Sequence, residues 1–309
     1  MAKDLEKQRV GATSGIINKE GYLYAILASA FFALISILGK VVIKTGMGPV
    51  QLLVWQYIFT IITLLIILVP TKRSKLKLTK NQLFRIMLQG IIGSAGTNIF
   101  FYAALQHLNA GIVSLLLFTN PIFVVLFFVL TGIKHIRPAN WIALGMAFLG
   151  SLMVLNVFEA ARGGLPLIGI ILGLMSGICY AFYNVFADLK LQGIEANIIN
   201  LYSSTFGLIT SFIIGAFMGI GDYSLPVELI GVIFSLSVLS GILPIIFIYK
   251  ALSLIGSEKV TVIATIELPI TLFLAFLVLG EKMSIIQMAG VVCVIGATFI
   301  LQQGERELA

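Results

Sequence analysis

Ten apolar runs of 19 to 25 residues follow one another along the chain, at 22–44, 50–70, 83–105, 111–131, 138–157, 166–188, 197–219, 228–252, 259–279 and 284–302. A helix needs about 20 such residues to cross the hydrocarbon core of a bilayer. Of 309 residues, 59% are hydrophobic and 11% charged, whereas about a quarter of an ordinary soluble domain is charged. So apolar a chain cannot coat a water-soluble fold with polar surface. Membrane strands would alternate with period two rather than run continuously apolar. The reading is an all-α integral membrane protein with ten transmembrane helices.

The gaps between runs are short, so neighbouring helices form antiparallel hairpins. Sixteen of the 20 Lys and Arg residues fall on one side of such an arrangement, including Lys72, Lys80, Lys134, Arg137, Lys190 and Lys259. The positive-inside rule places that side, with both termini, in the cytoplasm, which gives a multi-pass protein of the plasma (inner) membrane. The formal charge of +7 lies in these loops and not in a basic domain, so no nucleic-acid partner is expected. The lipid bilayer is the expected surroundings, and the run 72–80 touches anionic headgroups. The first 20 residues are polar and lack a signal peptide's apolar core, so the first run is expected to stay as a helix. Cys179 and Cys293 sit inside apolar runs and read as small buried hydrophobes. His107 and His135 fall in loops on opposite sides, which leaves no metal site, catalytic constellation or cofactor to expect.

Sliding the chain on itself by 147 residues brings Leu27-Ala-Ser29 onto Leu174-Met-Ser176, Gly46 onto Gly193, and Tyr102-Ala-Ala-Leu105 onto Tyr249-Lys-Ala-Leu252. After one extra residue in the second half, Pro121 falls on Pro269, Gly132 on Gly280 and Lys134 on Lys282. Each half therefore holds five helices. Five is odd, so the second half enters the membrane from the opposite side, and the two are inverted-topology repeats. The expected division is a tail at 1–21, repeats at 22–157 and 166–302, and a tail at 303–309, both tails cytoplasmic. Inverted repeats in secondary transporters hold a substrate near the midplane, between helices that are interrupted there.

Glu267 is the feature that fits such a site. It is the only charged residue between the ends of the run 259–279. A charge at a helix centre costs roughly 2.5–3.5 kcal/mol on insertion scales. Two residues later, Pro269 removes a backbone N–H and opens the helix. A carboxyl group there either holds a proton or binds a cation, which suits proton coupling or amine recognition. Asn120 beside Pro121 holds the matching place in the first half and is expected to face Glu267. On the sixth helix Tyr180, Tyr183 and Asn184 share a face by their spacing. Asn98 follows Gly93 and Gly96, small residues that let helices approach closely. Trp55, Tyr202 and Tyr249 are weaker lining candidates, Lys40 is an outer gate or a snorkelling lysine, and Pro121, Pro269 and Pro244 are candidate hinges.

The residues Ala251-Leu252, Gly256-Ser257, Glu267-Leu-Pro269 and Leu279-Gly-Glu281-Lys282, with Ala104-Leu105, Asn120-Pro121 and Leu130-Thr-Gly132, stand in register across the two halves. As a set they resemble the drug/metabolite transporter superfamily, EamA branch, over residues 22–302. The chain departs from that pattern at Asn120, at Leu268, which separates the acid from the proline, at Ile133 opposite Glu281, and at Gln56, where the family often carries Arg. The last removes a fixed positive anchor for anionic substrates. The resemblance implies a transporter and not an enzyme, exporting a small metabolite, amino acid or cationic compound; the inverted repeat suggests alternating access, and Glu267 suggests protons as the coupling ion. A passive facilitator or channel is the alternative. No Gly-rich loop ending in Gly-Lys-Ser/Thr is present to hold ATP.

Overall fold

The computed structural model describes residues 19–43, 45–72, 76–108, 110–134, 136–156, 166–279 and 283–306. Every regular element among them is helical. The first half comprises α1 (Lys19–Ile43), α2 (Pro49–Lys72), α3 (Lys80–Leu88), a π-helical stretch (Gln89–Ala95), α4 (Gly96–Leu105), α5 (Ala110–Leu117), α6 (Asn120–Thr131) and α7 (Pro138–Val154). The second comprises α8 (Leu167–Lys190), α9 (Ala196–Phe217), α10 (Val227–Gly241), α11 (Leu243–Ile255), α12 (Ser257–Ala264), α13 (Glu267–Leu279) and α14 (Ile285–Arg306).

These elements fall on the ten expected runs, but four runs are interrupted. The third turns π-helical at Gln89, the fourth breaks between α5 and α6, the eighth between α10 and α11, and the ninth between α12 and α13. The last three breaks sit at Pro121, Pro244 and Pro269. Ends are set by local chemistry. Thr79 and Gln82 form a reciprocal capping box at α3. Gly132 stops α6 with φ 62°, a left-handed conformation that a Cβ disfavours.

The packing repeats across the halves. α1 lies against α10, α11 and α13, while α8 lies against the π stretch, α4, α5 and α6. Helix one of each half thus crosses the third and fourth runs of the other, as two inverted repeats require. The last helices of the halves, α7 and α14, pack together most extensively. A Cβ on Gly290 would stand 2.7 Å from Val154 N, and one on Gly150 2.9 Å from Gly290 O, so only glycine permits this crossing. Large apolar side chains such as Ile66, Leu130 and Phe217 are exposed around the outside, a surface made for lipid rather than water. Among the described residues, five helical stretches are long and apolar enough to span a membrane: Val50–Lys72, Ile112–Thr131, Leu167–Lys190, Ala196–Phe217 and Val227–Ile255.

Candidate functional site

Between the halves lies a cavity of about 220 Å³. The first half lines it with Gln56, Tyr57 and Thr60 from α2 and with Ser94, Thr97 and Asn98 from the π stretch and α4. The second half contributes Tyr180 and Tyr183 from α8, Asn200, Ser203 and Ser204 from α9, and Glu267 from the start of α13. Phe32, Leu53, Phe118 and Ile245 supply apolar wall. Glu267 is the only charged residue among the described residues that line it.

Three close approaches shape this space. In the π stretch, a Cβ on Gly90 would meet Ser203 O at 2.8 Å, and one on Gly93 would meet Tyr183 Cβ at 3.0 Å. Gly96 comes as close to Cys179 Sγ, at 3.1 Å from its would-be Cβ. Glycines thus bring the third run against α8 and α9, and its turn widens to a π-helix where the cavity begins. Such π segments are frequent at functional sites. Tyr57 Oη lies 3.2 Å from Ser94 Oγ and accepts from Asn98 Nδ2 at 3.3 Å. Asn200 donates to Gly241 O at 2.7 Å and accepts from Ser204 Oγ at 3.2 Å, which serves a carbonyl at the α10–α11 break.

Glu267 owes its freedom to the backbone. Pro269 cannot bond the carbonyl of Thr265, but Leu268 N donates to it at 3.0 Å. Thr265 Oγ1 in turn donates to Val262 O at 2.6 Å. The break is mended without the Glu267 side chain, which makes no hydrogen bond or ion pair with any described residue. It sits in the first turn of α13, directly after the break.

Of the residues expected at the site, Glu267, Asn98, Tyr180 and Tyr183 are brought together. Others are not. Asn120 is fully buried off the cavity, with Nδ2 donating at 3.0 Å to Leu117 O, the carbonyl that Pro121 leaves without a helix partner. It mends its helix through Nδ2, leaves Oδ1 buried without a partner among the described residues, and is not among the residues that line the cavity with Glu267. Asn184 bonds back to Tyr180 O at 2.8 Å and is buried behind the cavity wall. Tyr202 Oη donates to Leu76 O at 2.8 Å, and Trp55 Nε1 to Tyr223 O at 3.0 Å; both tie loops to helices. Tyr249 accepts from Gln89 Nε2 at 2.5 Å and lines a separate pocket of about 200 Å³ with Gln192, Lys250 and Ser253. The side chain of Lys40 lies outside the described residues, as do His135 and Glu281. Pro121, Pro244 and Pro269 all sit in the first turn after a break. Sequence reading missed Tyr57, Thr60, Ser94, Asn200, Ser203 and Ser204. The hydroxyls one turn apart at Tyr57 and Thr60, and Asn200 four residues before Ser204, were the available signal.

A helical membrane protein built as an inverted repeat, with a polar cavity between the halves, has the build of a solute transporter. Residues 19–156 and 167–302 each match the EamA-like transporter family. The chain belongs to that family. It is 24% identical over 288 residues to a protein named uncharacterized transporter from Clostridium kluyveri, spanning 91% of this chain and 93% of that one. It is 22% identical over 279 residues to the uncharacterized transporter YcbK of Bacillus subtilis, spanning 87% and 88%. A solved protein crystal structure shares the fold with a TM-score of 0.72 at 17% identity, over 94% of this chain and 99% of that one. The protein is a membrane transporter and not an enzyme.

Proposed function

We propose that the protein is a secondary transporter that exports a small cationic, amine-bearing metabolite through the central cavity, in exchange for a proton carried on Glu267. One observation carries the reading: a single unpaired carboxyl group faces a cavity in which none of the described lining residues carries a positive side chain. A bare carboxylate in such surroundings is costly. It is matched either by a proton or by a cationic ligand, and the two exclude each other. That competition is what an exchanger needs. The rings of Tyr57, Tyr180 and Tyr183 give an ammonium group a favourable aromatic surround. A substrate carboxylate finds no counter-charge among the described lining residues, so a zwitterionic amino acid is disfavoured relative to the corresponding amine.

Flux into proteoliposomes tests this with three probes of one body: phenethylamine, phenylalanine and neutral 2-phenylethanol. An imposed pH gradient is expected to drive phenethylamine selectively. Glu267→Gln should cut that flux roughly 10- to 100-fold, the weight of a charge-assisted contact. Phenethylamine transport that ignores both the gradient and the substitution would mark a passive facilitator instead.

A further inference from the structure

At the lysine-rich end, Lys134 Nζ stands 2.8 Å from Asp188 Oδ2 and 2.9 Å from Glu258 Oε2. The side chain of Asp188 is wholly buried, and those of Lys134 and Glu258 are only 19% and 13% exposed. Asp188 Oδ2 also accepts from Ser257 N and Ser257 Oγ, both at 3.1 Å. The ammonium lies 4.6 Å from the centre of the Phe128 ring. Burial pulls the lysine down, but the carboxylates of Glu258 and Asp188 outweigh it and hold its pKa above the ordinary value. The lysine therefore stays charged across the physiological range.

These three residues come from the turn after α6, the end of α8 and the start of α12, so they bind the first half to the second. At this end α6 packs against α12, and the lower parts of the two proline-broken helices touch. Their upper parts go elsewhere: α5 packs against α8 and α4, and α13 against α1, α7 and α14. The repeat register gives the same asymmetry. Lys282 is the counterpart of Lys134, but the offset of 147 places Val41 opposite Asp188, and Ala110 or Gly111 opposite Glu258. Both carboxylates of the cluster have apolar or side-chain-free counterparts.

We propose that Lys134, Asp188 and Glu258 form an ionic gate on one side of the transport path, which must open for the cavity to reach the face that the charge bias places in the cytoplasm. The proposal rests on the reading of the cavity as the transport path, and not on which solute it carries. Removing one partner of a buried pair strands the other charge, so the closed arrangement loses its advantage when any member is neutralised. The exposed Lys72–Glu195 pair at the same end, whose side chains are 39% and 25% accessible, should matter far less.

Side-specific labelling tests the gate. Ser94→Cys in the cavity serves as the reporter, with Cys179→Ala and Cys293→Ala removing the native thiols. A membrane-impermeant maleimide is applied to each face of reconstituted vesicles in turn. Lys134→Gln is expected to raise labelling from the lysine-rich face roughly tenfold, a shift in the closed–open population. Lys134→Arg should restore the starting rate, and Lys72→Gln should leave it unchanged. Should Lys134→Gln fail to fold, Glu258→Gln keeps the Lys134–Asp188 pair and is expected to give a smaller rise in the same direction. Unaltered labelling in the folded variants, or a rise equal from both faces, would overturn the gate and leave the cluster a structural tie. The readout uses no substrate, so it stands or falls separately from the amine reading.

Discussion

Both halves of the molecule break a membrane helix beside a proline, and each must then satisfy a carbonyl that has lost its partner. In the first half the side chain of Asn120 does this, its Nδ2 donating to Leu117 O while its Oδ1 stays buried without a partner among the described residues. In the second half the backbone does it, through Leu268 N and Thr265 O. The difference traces to one inserted residue. Asn120 precedes its proline directly, whereas Leu268 separates Glu267 from Pro269. One residue turns a side chain about 100° around a helix. The acid is thereby released toward the cavity while the amide stays in the wall. A polar residue inside a membrane helix is therefore not by itself a site. What matters is whether the side chain lines the cavity, as Glu267 does, or is held back by its own helix break, as Asn120 is.

The contrast can be broken experimentally at either end. Asn120→Ala leaves Leu117 O buried without a donor, so unfolding measurements should show a loss of about 1–3 kcal/mol. Phenethylamine flux per folded molecule should change by less than about twofold. A variant that keeps its stability but loses flux would place Asn120 at the site after all. A smaller effect is expected at Tyr180→Phe, which removes a cavity hydroxyl but keeps the ring. Phenethylamine affinity should fall about two- to tenfold, the value of one neutral hydrogen bond, with stability close to that of the parent. An unchanged affinity would confine Tyr180 to packing.

Much of this was legible in the chain. Apolar length gives the ten spans, the register of Pro121 with Pro269 gives the repeat, and these two prolines each mark a break. The direction in which a side chain points was harder to read. In a soluble helix the apolar stripe marks the buried face, but in a membrane helix lipid-facing and protein-facing sides are both apolar, and periodicity loses that information. Hence Tyr202 and Trp55 looked like cavity residues although both are tied to loop carbonyls, and Asn200 went unnoticed. The gate cluster was hidden for another reason. Its bonds join Lys134 to residues 54 and 124 positions away, and a loop lysine reads first as an orientation signal. The π-helical stretch at Gln89 follows from how Gly90 and Gly93 seat against α8 and α9, which only packing reveals.

The central claim is that a proton and a cationic ligand compete for Glu267. Proton uptake or release on ligand binding measures this directly, by calorimetric titration of purified protein with phenethylamine in buffers of different ionisation enthalpy. Where Glu267 starts protonated, about one proton should leave for each amine bound. Glu267→Gln, if it binds the amine at all, should release none. Equal proton release from the parent and from Glu267→Gln would contradict the account, since the proton would then come from another group.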